Sequence, residues 1–537
     1  MSPAAARRPK PVVLVADRLS DEGVACLQAN GIEPAVEIGL SDAKLKARLA
    51  KVDGVVVRSA TKLTAKVLPA GKSKLKVIGR AGIGVDNIDV AKATELGLVV
   101  LNTPDANATT TAELAIAHIF GCARHLAAAD ASVRAGEWDR AKYTGTEIAG
   151  KTAGVIGYGT IGRIVAQRCR GLGLKVMVHD PFVPAGVVEE DGCEAATLKK
   201  LLAGSDFVTI HTPGGKATEG LIGRRELAAM KSTAYLIQCA RGGIVVEEDL
   251  ALALNKGSIA GAAVDVFTAE PLPASHVLRG ARNISFTPHL GASTKEAQRA
   301  TGLAIAEQLG QYFRSGEAVN AVNLPRVPGD VLDVTRPYIP LAKNLGQLLA
   351  AACSLSPREL TLALQGEAAE LPESVVLAEA VSGLLGGRLS FPVNQVNAAA
   401  VAERQGLKLA VEKSAAAPEF ATMLRLRLRC GREEVEVAGT LLGGDQPRIA
   451  YFDGIELEAP LTGPILLTTH HDRPGVIAEI TALLAELKIN ITHMHVGSAG
   501  KRAAACIRLA RPLPERFVAQ VGKLRHVKSA VSMEFGA

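Results

Sequence analysis

No apolar stretch in this 537-residue chain approaches the ~20 residues that a membrane helix needs, so a spanning role has no support. A long basic run is missing too. The formal net charge of +7 is small for the length, and Lys and Arg are scattered among acids. Nucleic-acid and membrane-surface partners are therefore not indicated. The eight cysteines lie far apart without a C-x-x-C pair, so neither a metal site nor a disulfide frame is expected. The basic N-terminal AARRPKP leads into a strand-length run, Val12–Ala16, and not into a signal-peptide core. These absences together describe a soluble, cytoplasmic chain with reduced thiols.

What is present is 48% hydrophobic and only 3% aromatic, with 53 glycines, which suits Ala/Val/Leu-rich α/β layers joined by tight turns. Single cores rarely grow past ~250–300 residues, so three or four domains are expected. The runs Val12–Ala16, Gly54–Arg58, Val77–Arg80 and Val99–Asn102 read as buried parallel strands alternating with short helices. A long helical stretch, Thr111–Ala135, links this lobe to a second doubly wound region. That region runs through Phe207–His211, Ala234–Gln238, Ala260–Asp265 and Ile284–Phe286, and a helix over Ala297–Phe313 leads back. The PRVPGDV segment marks a boundary near residue 325, and LRLRLRCGREEVEVAGTL beyond it alternates like antiparallel strands. From Gly463 a βαββαβ order is legible: strand Ile465–Thr469, helix Val476–Leu487, strands about Ile489–His495 and Ala503–Leu509, helix Glu515–Val521 and strand Val527–Phe535.

The most informative stretch is KTAGVIGYGTIGRIVAQRCRGLGLKVMVHDPF, residues 151–182. Gly157, Gly159 and Gly162 form G-x-G-x-x-G between an apolar strand and a segment of helical periodicity, and a second strand ends at Asp180. In a dinucleotide site the first glycine makes the turn, the second admits the pyrophosphate and the third lets helix and strand approach. Free N–H groups at the helix start face the phosphates. Asp180 would accept from the adenosine ribose hydroxyls and repel a 2′-phosphate, which favours NAD over NADP. A fainter echo lies upstream, where GRAGIGVDNIDVAKATELGLVVLN also reads strand, glycine turn, helix, strand; any two βα units share that order.

Three later segments place polar residues just beyond successive strands: Arg241 in QCARGGIVVEEDL, Asp265 and Glu270 in GAAVDVFTAEPL, and His289 in ISFTPHLGAST. Strand ends of one parallel sheet deliver them to a common edge, where open α/β sheets bind ligands. Hydride transfer at a secondary alcohol needs such a trio. His289 would exchange the hydroxyl proton, Glu270 would fix its tautomer, and Arg241 would grip a carboxylate beside the reacting carbon.

At these residues the chain resembles the D-isomer-specific 2-hydroxyacid dehydrogenases, and within them the long-form phosphoglycerate dehydrogenases. ARGGIV, DVF..EP, PHLGAST, RAGIGVDNID and NTPDAN with the TAE after it carry the likeness. The resemblance extends past residue 325, in FPVNQVNAAAVAERQG and GTLLGGDQPRIAYFDG of an intervening regulatory domain and TTHHDRPGVIAEITALLAELKINI of an ACT domain. It implies a flavodoxin-like substrate domain over 1–105 and 290–322 and a Rossmann NAD domain over 106–289. An α+β intervening domain over 326–460 and a ferredoxin-like ACT domain over 463–537 would follow. It implies Arg241, Glu270 and His289 as the catalytic trio, and Asp265 as the acid on the nicotinamide amide. Thr160, Ile161, Asp180, Thr212 and Cys239 match cofactor contacts. Arg58, Arg80, Asn102 and Arg140 match positions that bind phosphorylated substrate, Arg140 from a neighbouring subunit; Arg58 and Arg80 as plain solvated residues is the competing account.

Two positions depart from the family: Val246 stands where an acid usually follows GGIV, and Ile83 stands where a relative has Thr near the nicotinamide. The implied reaction is NAD-dependent oxidation of 3-phosphoglycerate, the entry to serine biosynthesis, by a homo-oligomer, a tetramer. L-Serine would act as effector at His470, Asp472 and Asn490, although Asp472 as a helix cap is an equally physical reading. Another D-2-hydroxyacid such as 2-hydroxyglutarate, or an NAD-sensing scaffold without catalysis, stand as the alternatives.

Overall fold

The computed structural model describes residues 9–325, 327–353, 357–389, 391–416, 420–431 and 433–536. Most of the basic N-terminal segment, together with Arg326 of PRVPGDV and Arg432 of the alternating stretch, falls outside them.

The first lobe is a five-stranded, all-parallel sheet in the order Glu33–Val36, Val12–Val15, Gly54–Val57, Val77–Arg80, Val99–Asn102. Its strands are near-continuous Val and Leu because helices cover both faces. The order is the flavodoxin-like 2-1-3-4-5. Helix Lys295–Ser315 returns to this lobe and buries Ile305 and Leu309 against it. Gly23 and Gly302 let this helix meet helix Asp21–Ala29 backbone to backbone, where an added Cβ on Gly23 would lie 3.0 Å from Gly302.

The second lobe holds seven parallel strands: Ile284–Phe286, Gly261–Val264, Tyr235–Gln238, Phe207–Ile210, Thr152–Ile156, Lys175–His179 and Glu194–Ala195. Counted from Thr152–Ile156, this is the Rossmann order with one strand added at the far edge. The expected single helix over Thr111–Ala135 is two, Ala108–Ala123 and Leu126–Arg134. His125 between them takes φ 52°, a left-handed conformation that ends one helix and starts the next at a new angle.

Beyond residue 325 a six-stranded sheet is antiparallel except for Lys408–Ser414, which lies parallel to Glu359–Gly366 at one edge. Helices Tyr338–Ala352 and Glu373–Leu385 cover one face and pack closely through Gly346 and Gly383. The last sheet runs Ile491–Ala499, Arg502–Leu509, Gly463–His471, Val527–Phe535, the ferredoxin-like order. One apolar core spans both: Leu341, Leu424 and Leu457 share it with Ile465, Ala504 and Phe535. Gly497 brings the last sheet against the Glu456 carbonyl, and Arg502 pairs with Asp453 across the seam.

The expectation of reduced thiols is also corrected. Cys353 and Cys430 are joined by a disulfide across 77 residues, while Cys26, Cys122, Cys169, Cys193, Cys239 and Cys506 are free. Spacing could not reveal this pair, because it forms only where the end of helix Tyr338–Ala352 meets the end of strand Thr422–Cys430. Among the described residues no helix is long and apolar enough to cross a membrane, and no cluster of three or more potential metal ligands occurs.

Candidate active site

Between the two parallel-sheet lobes lies a cleft of about 490 Å³. From the second lobe, Gly159, Thr160, Ile161, Thr212, Cys239, Arg241, Asp265 and His289 line it. Arg58, Arg80 and Asn102 line it from the first. All but Thr160 and Ile161, which open helix Thr160–Gly171, stand within three residues of the carboxyl end of a parallel strand.

The glycine turn is built for close approach. A Cβ on Gly162 would overlap the Gly157 carbonyl oxygen, and one on Gly157 would crowd His211 and Thr212. Before Gly159 there is open space, and helix Thr160–Gly171 begins there without a side-chain cap, leaving its first N–H groups free. Thr212 Oγ1 is buried without a hydrogen-bond partner among the described residues. Asp180, just past strand Lys175–His179, accepts from the Tyr158 and Phe182 N–H groups at 2.8 and 2.9 Å. These features fit a dinucleotide: an uncapped helix start for the pyrophosphate and an acid at the next strand end for the ribose.

His289 and Glu270 form a pair, Nδ1 to Oε2 at 2.8 Å. The Glu270 hydrogen bond raises the His289 pKa against the opposing effect of burial. Burial by itself would raise Glu270, but the His289 and Phe267 hydrogen bonds bring its pKa below the usual value. Glu270 stands behind His289 and does not line the cleft. The other histidine on the cleft, His211, is bonded to Thr209, and burial pushes its pKa down to about 3, which makes it a weaker proton acceptor than His289.

Asp265 is fully buried, and its carboxylate holds the turn that carries His289. It accepts from Thr287 Oγ1 at 2.5 Å, Leu290 N–H at 2.7 Å and Gly291 N–H at 3.0 Å. His289 itself has φ 55°, a left-handed conformation that this network over-determines.

Arg241 is held across the cleft. Its Nε donates to Asp86 of the first lobe at 2.9 Å and its Nη1 to the Ala240 carbonyl at 2.7 Å, while Nη2 stands against Gly84. Arg80 is mostly buried, and its pKa falls to about 10 through burial and then through Arg241 and Arg58 nearby. Three guanidinium groups thus converge on one cleft, which suits a substrate bearing more than one anionic group.

Several assigned residues behave differently. Asn102 directs its amide to the Ile83 carbonyl at 2.7 Å, whereas Asn107 is buried on the cleft wall with Oδ1 unpartnered among the described residues. Arg140 is exposed and outside this chain's cleft. Asp86 and Asn107 both lie inside phrases singled out in the sequence, but nothing local marks them. In the last domain His470 is buried with Nδ1 unpartnered among the described residues, and burial lowers its pKa. Asp472 is exposed and caps nothing, since helix Val476–Glu486 starts from Gly475 without a side-chain bond. Asn490 lies past the far end of that helix.

Comparison with known proteins agrees with this geometry. The NAD binding domain of D-isomer specific 2-hydroxyacid dehydrogenases matches residues 116–291, the D-3-phosphoglycerate dehydrogenase intervening domain matches 334–453, and the ACT domain matches 465–524. A D-3-phosphoglycerate dehydrogenase of Synechocystis sp. is 38% identical over 97% of this chain and 94% of its own. One from Methanocaldococcus jannaschii is 36% identical over 96% and 98%. The crystal structure of a glyoxylate reductase from Paecilomyes thermophila superposes with TM-score 0.54 at 29% identity, covering 59% of this chain and 99% of that one. With NAD-binding, intervening and ACT domains matched in turn along it and a relative 38% identical over 97% of its length, the chain belongs to the D-3-phosphoglycerate dehydrogenase family of D-isomer specific 2-hydroxyacid dehydrogenases.

Proposed function

We propose that this chain oxidises 3-phospho-D-glycerate to 3-phosphohydroxypyruvate with NAD. The observation that carries the reading is the His289–Glu270 pair facing a cleft that also receives Arg241, Arg58 and Arg80. NAD, held over Gly159, Thr160 and Asp180, supplies a hydride acceptor. His289 Nε2 takes the hydroxyl proton, and Glu270 at Nδ1 stabilises the imidazolium that forms. Arg241 orients the carboxylate through the guanidinium edge not held by Ala240, and the substrate competes with Asp86 for it. Arg58 and Arg80 read the phosphate. Arg140 would reach a substrate only across a subunit boundary, which accords with a homo-oligomer.

Oxidation needs neutral His289. Because its pKa is raised, the oxidation rate climbs as pH rises through that value, and the reverse reaction falls through the same range. Glu270→Gln moves both limbs to lower pH. His289→Ala should lower kcat by ~10²–10⁴-fold with NADH binding retained. NADH formation from a panel of D-2-hydroxyacids tests the substrate; faster turnover of 2-hydroxyglutarate than of 3-phosphoglycerate would overturn it.

For the C-terminal domain we propose an L-serine effector site. Asp472 and Asn490 flank an 11-residue helix, about 16 Å at 1.5 Å per residue, too far apart for one small amino acid to touch both. Two ACT domains side by side bring Asp472 of one chain to the far helix end of another, so effector binding and assembly, as a tetramer, belong together. Calorimetry on the full chain should show serine binding that Asn490→Ala removes, with uninhibited kcat unchanged. No heat and flat rates to millimolar serine would leave this domain an assembly element.

A further inference from the structure

Glu270 rides on the loop between strands Gly261–Val264 and Ile284–Phe286, so its aim depends on what holds that loop. The first residue of helix Glu247–Lys256 does so. Glu247 is only 8% exposed, contributes nothing to the cleft wall, and places both carboxylate oxygens on the loop. Oε1 accepts the Thr268 N–H at 2.8 Å, and Oε2 lies 3.0 Å from His276 Nε2. His276 Nδ1 accepts the Leu278 N–H at 3.4 Å, an arrangement that leaves Nε2 as the ring nitrogen facing Glu247. Arg279 closes the far side by donating to the Leu272 and Pro273 carbonyls at 2.9 Å each.

The consequence lies in two adjacent peptide groups. Phe267 N–H donates to Glu270 Oε1 at 3.0 Å, and the next N–H, on Thr268, donates to Glu247. One carboxylate orients the backbone that in turn orients the other. Gly242, next to Arg241, completes the joint, since a Cβ there would overlap the Phe267 carbonyl. A buried acid that fastens two points of one loop is more than a helix-start charge.

We propose that Glu247, anchored by His276, is a positioning residue for the Glu270–His289 pair. Its carboxylate sets the Phe267–Thr268 peptides, these set Glu270, and Glu270 sets the tautomer and basicity of His289. The inference rests on His289 and Glu270 being the proton-transfer pair. Around His289 the charged groups are Glu270, Asp265 and Arg241; the titratable partner of Glu247 is His276.

The test measures 3-phosphoglycerate oxidation across pH, NADH binding by fluorescence and Tm, on the full chain and its Glu247→Ala, Glu247→Gln, His276→Leu and His289→Ala variants. Glu247→Ala should lower kcat about tenfold or more, the scale of a misplaced catalytic group. Substrate KM and NADH affinity should stay within about twofold, because neither site is touched. The ascending limb should move roughly half a pH unit lower as the Glu270 bond loosens. Glu247→Gln, whose amide oxygen still accepts from Thr268, should recover most of the rate and the limb. His276→Leu should shift the limb the same way by less, and it decides the matter if Glu247→Ala does not fold. A lowered Tm with limb and kcat in place would make Glu247 merely structural and overturn the proposal. If His289→Ala retained turnover, the reading of the site itself would fail; an inactive His289→Ala with an unmoved limb in the Glu247 and His276 variants would remove only the role of Glu247.

Discussion

Two strand–glycine turn–helix–strand units in this chain look alike in sequence and do different chemistry. In the second, Thr152–Ile156 passes through Gly157–Gly159 directly into a 12-residue helix whose N-terminus carries no side-chain cap. In the first, Val77–Arg80 is followed by the loop 81–89, and only then by a six-residue helix. Asp89 caps that helix, accepting the Lys92 N–H at 2.9 Å. One helix start is left open for an anion; the other is closed by its own acid. The glycines differ likewise. Gly162 makes room for the Gly157 carbonyl, whereas Gly82 and Gly84 make room for the guanidinium groups of Arg80 and Arg241. A glycine-rich turn therefore announces a close approach without saying what approaches.

Substitutions at matched places should separate the two units. The largest effect is expected for Gly162→Ala, where the added Cβ meets backbone that no side-chain motion can clear. Overpacking of this kind costs ~1–3 kcal/mol, and NADH binding measured by fluorescence should fall at least about tenfold. Gly84→Ala comes next. Its Cβ meets the end of the Arg241 side chain, which can move away, so the chain should fold and bind NADH normally. Loosening the charge-assisted grip of Arg241 on a carboxylate should lower kcat/KM by about tenfold or less. If Gly84→Ala impaired NADH binding as much as Gly162→Ala did, the two turns would not be functionally distinct. The smallest effect belongs to Asp89→Ala, which removes a cap worth about 1 kcal/mol and should lower Tm slightly while leaving kcat unchanged. A large loss of kcat there would mean that the loop 81–89 depends on its helix to hold Asp86.

Much of the second unit was legible because its meaning is local: turn, helix face and terminal acid lie within residues 151–182. Arg241, Glu270 and His289 were legible for a related reason, since each follows a strand of one parallel sheet and parallel strands share a carboxyl edge. In the first unit Asn102 lines the cleft with its amide engaged by Ile83, while Asn107 also stands on the wall, its Oδ1 without a partner among the described residues. Both are asparagines in one segment, and only the path of the chain tells them apart. Asp86 was illegible as the partner of Arg241, 155 residues away, because the two meet only when the lobes face each other.

The sequence by itself determined the strands of both lobes apart from the edge strands Glu33–Val36 and Glu194–Ala195, the glycine turn with its acid, the residues offered to the sheet edge and the βαββαβ order at the C-terminus. Each is written in periodicity or in spacing along a short stretch, and burial on one face or two enforces it. Tertiary structure alone decided the left-handed break at His125, the Cys353–Cys430 bond and the core shared by the last two sheets. It alone decided the grasp of Asp86 on Arg241 and of Glu247 on the Glu270 loop. Apart from the break at His125, these joins link residues well separated in the chain, and their partners are selected by strand order and packing, which no local pattern encodes.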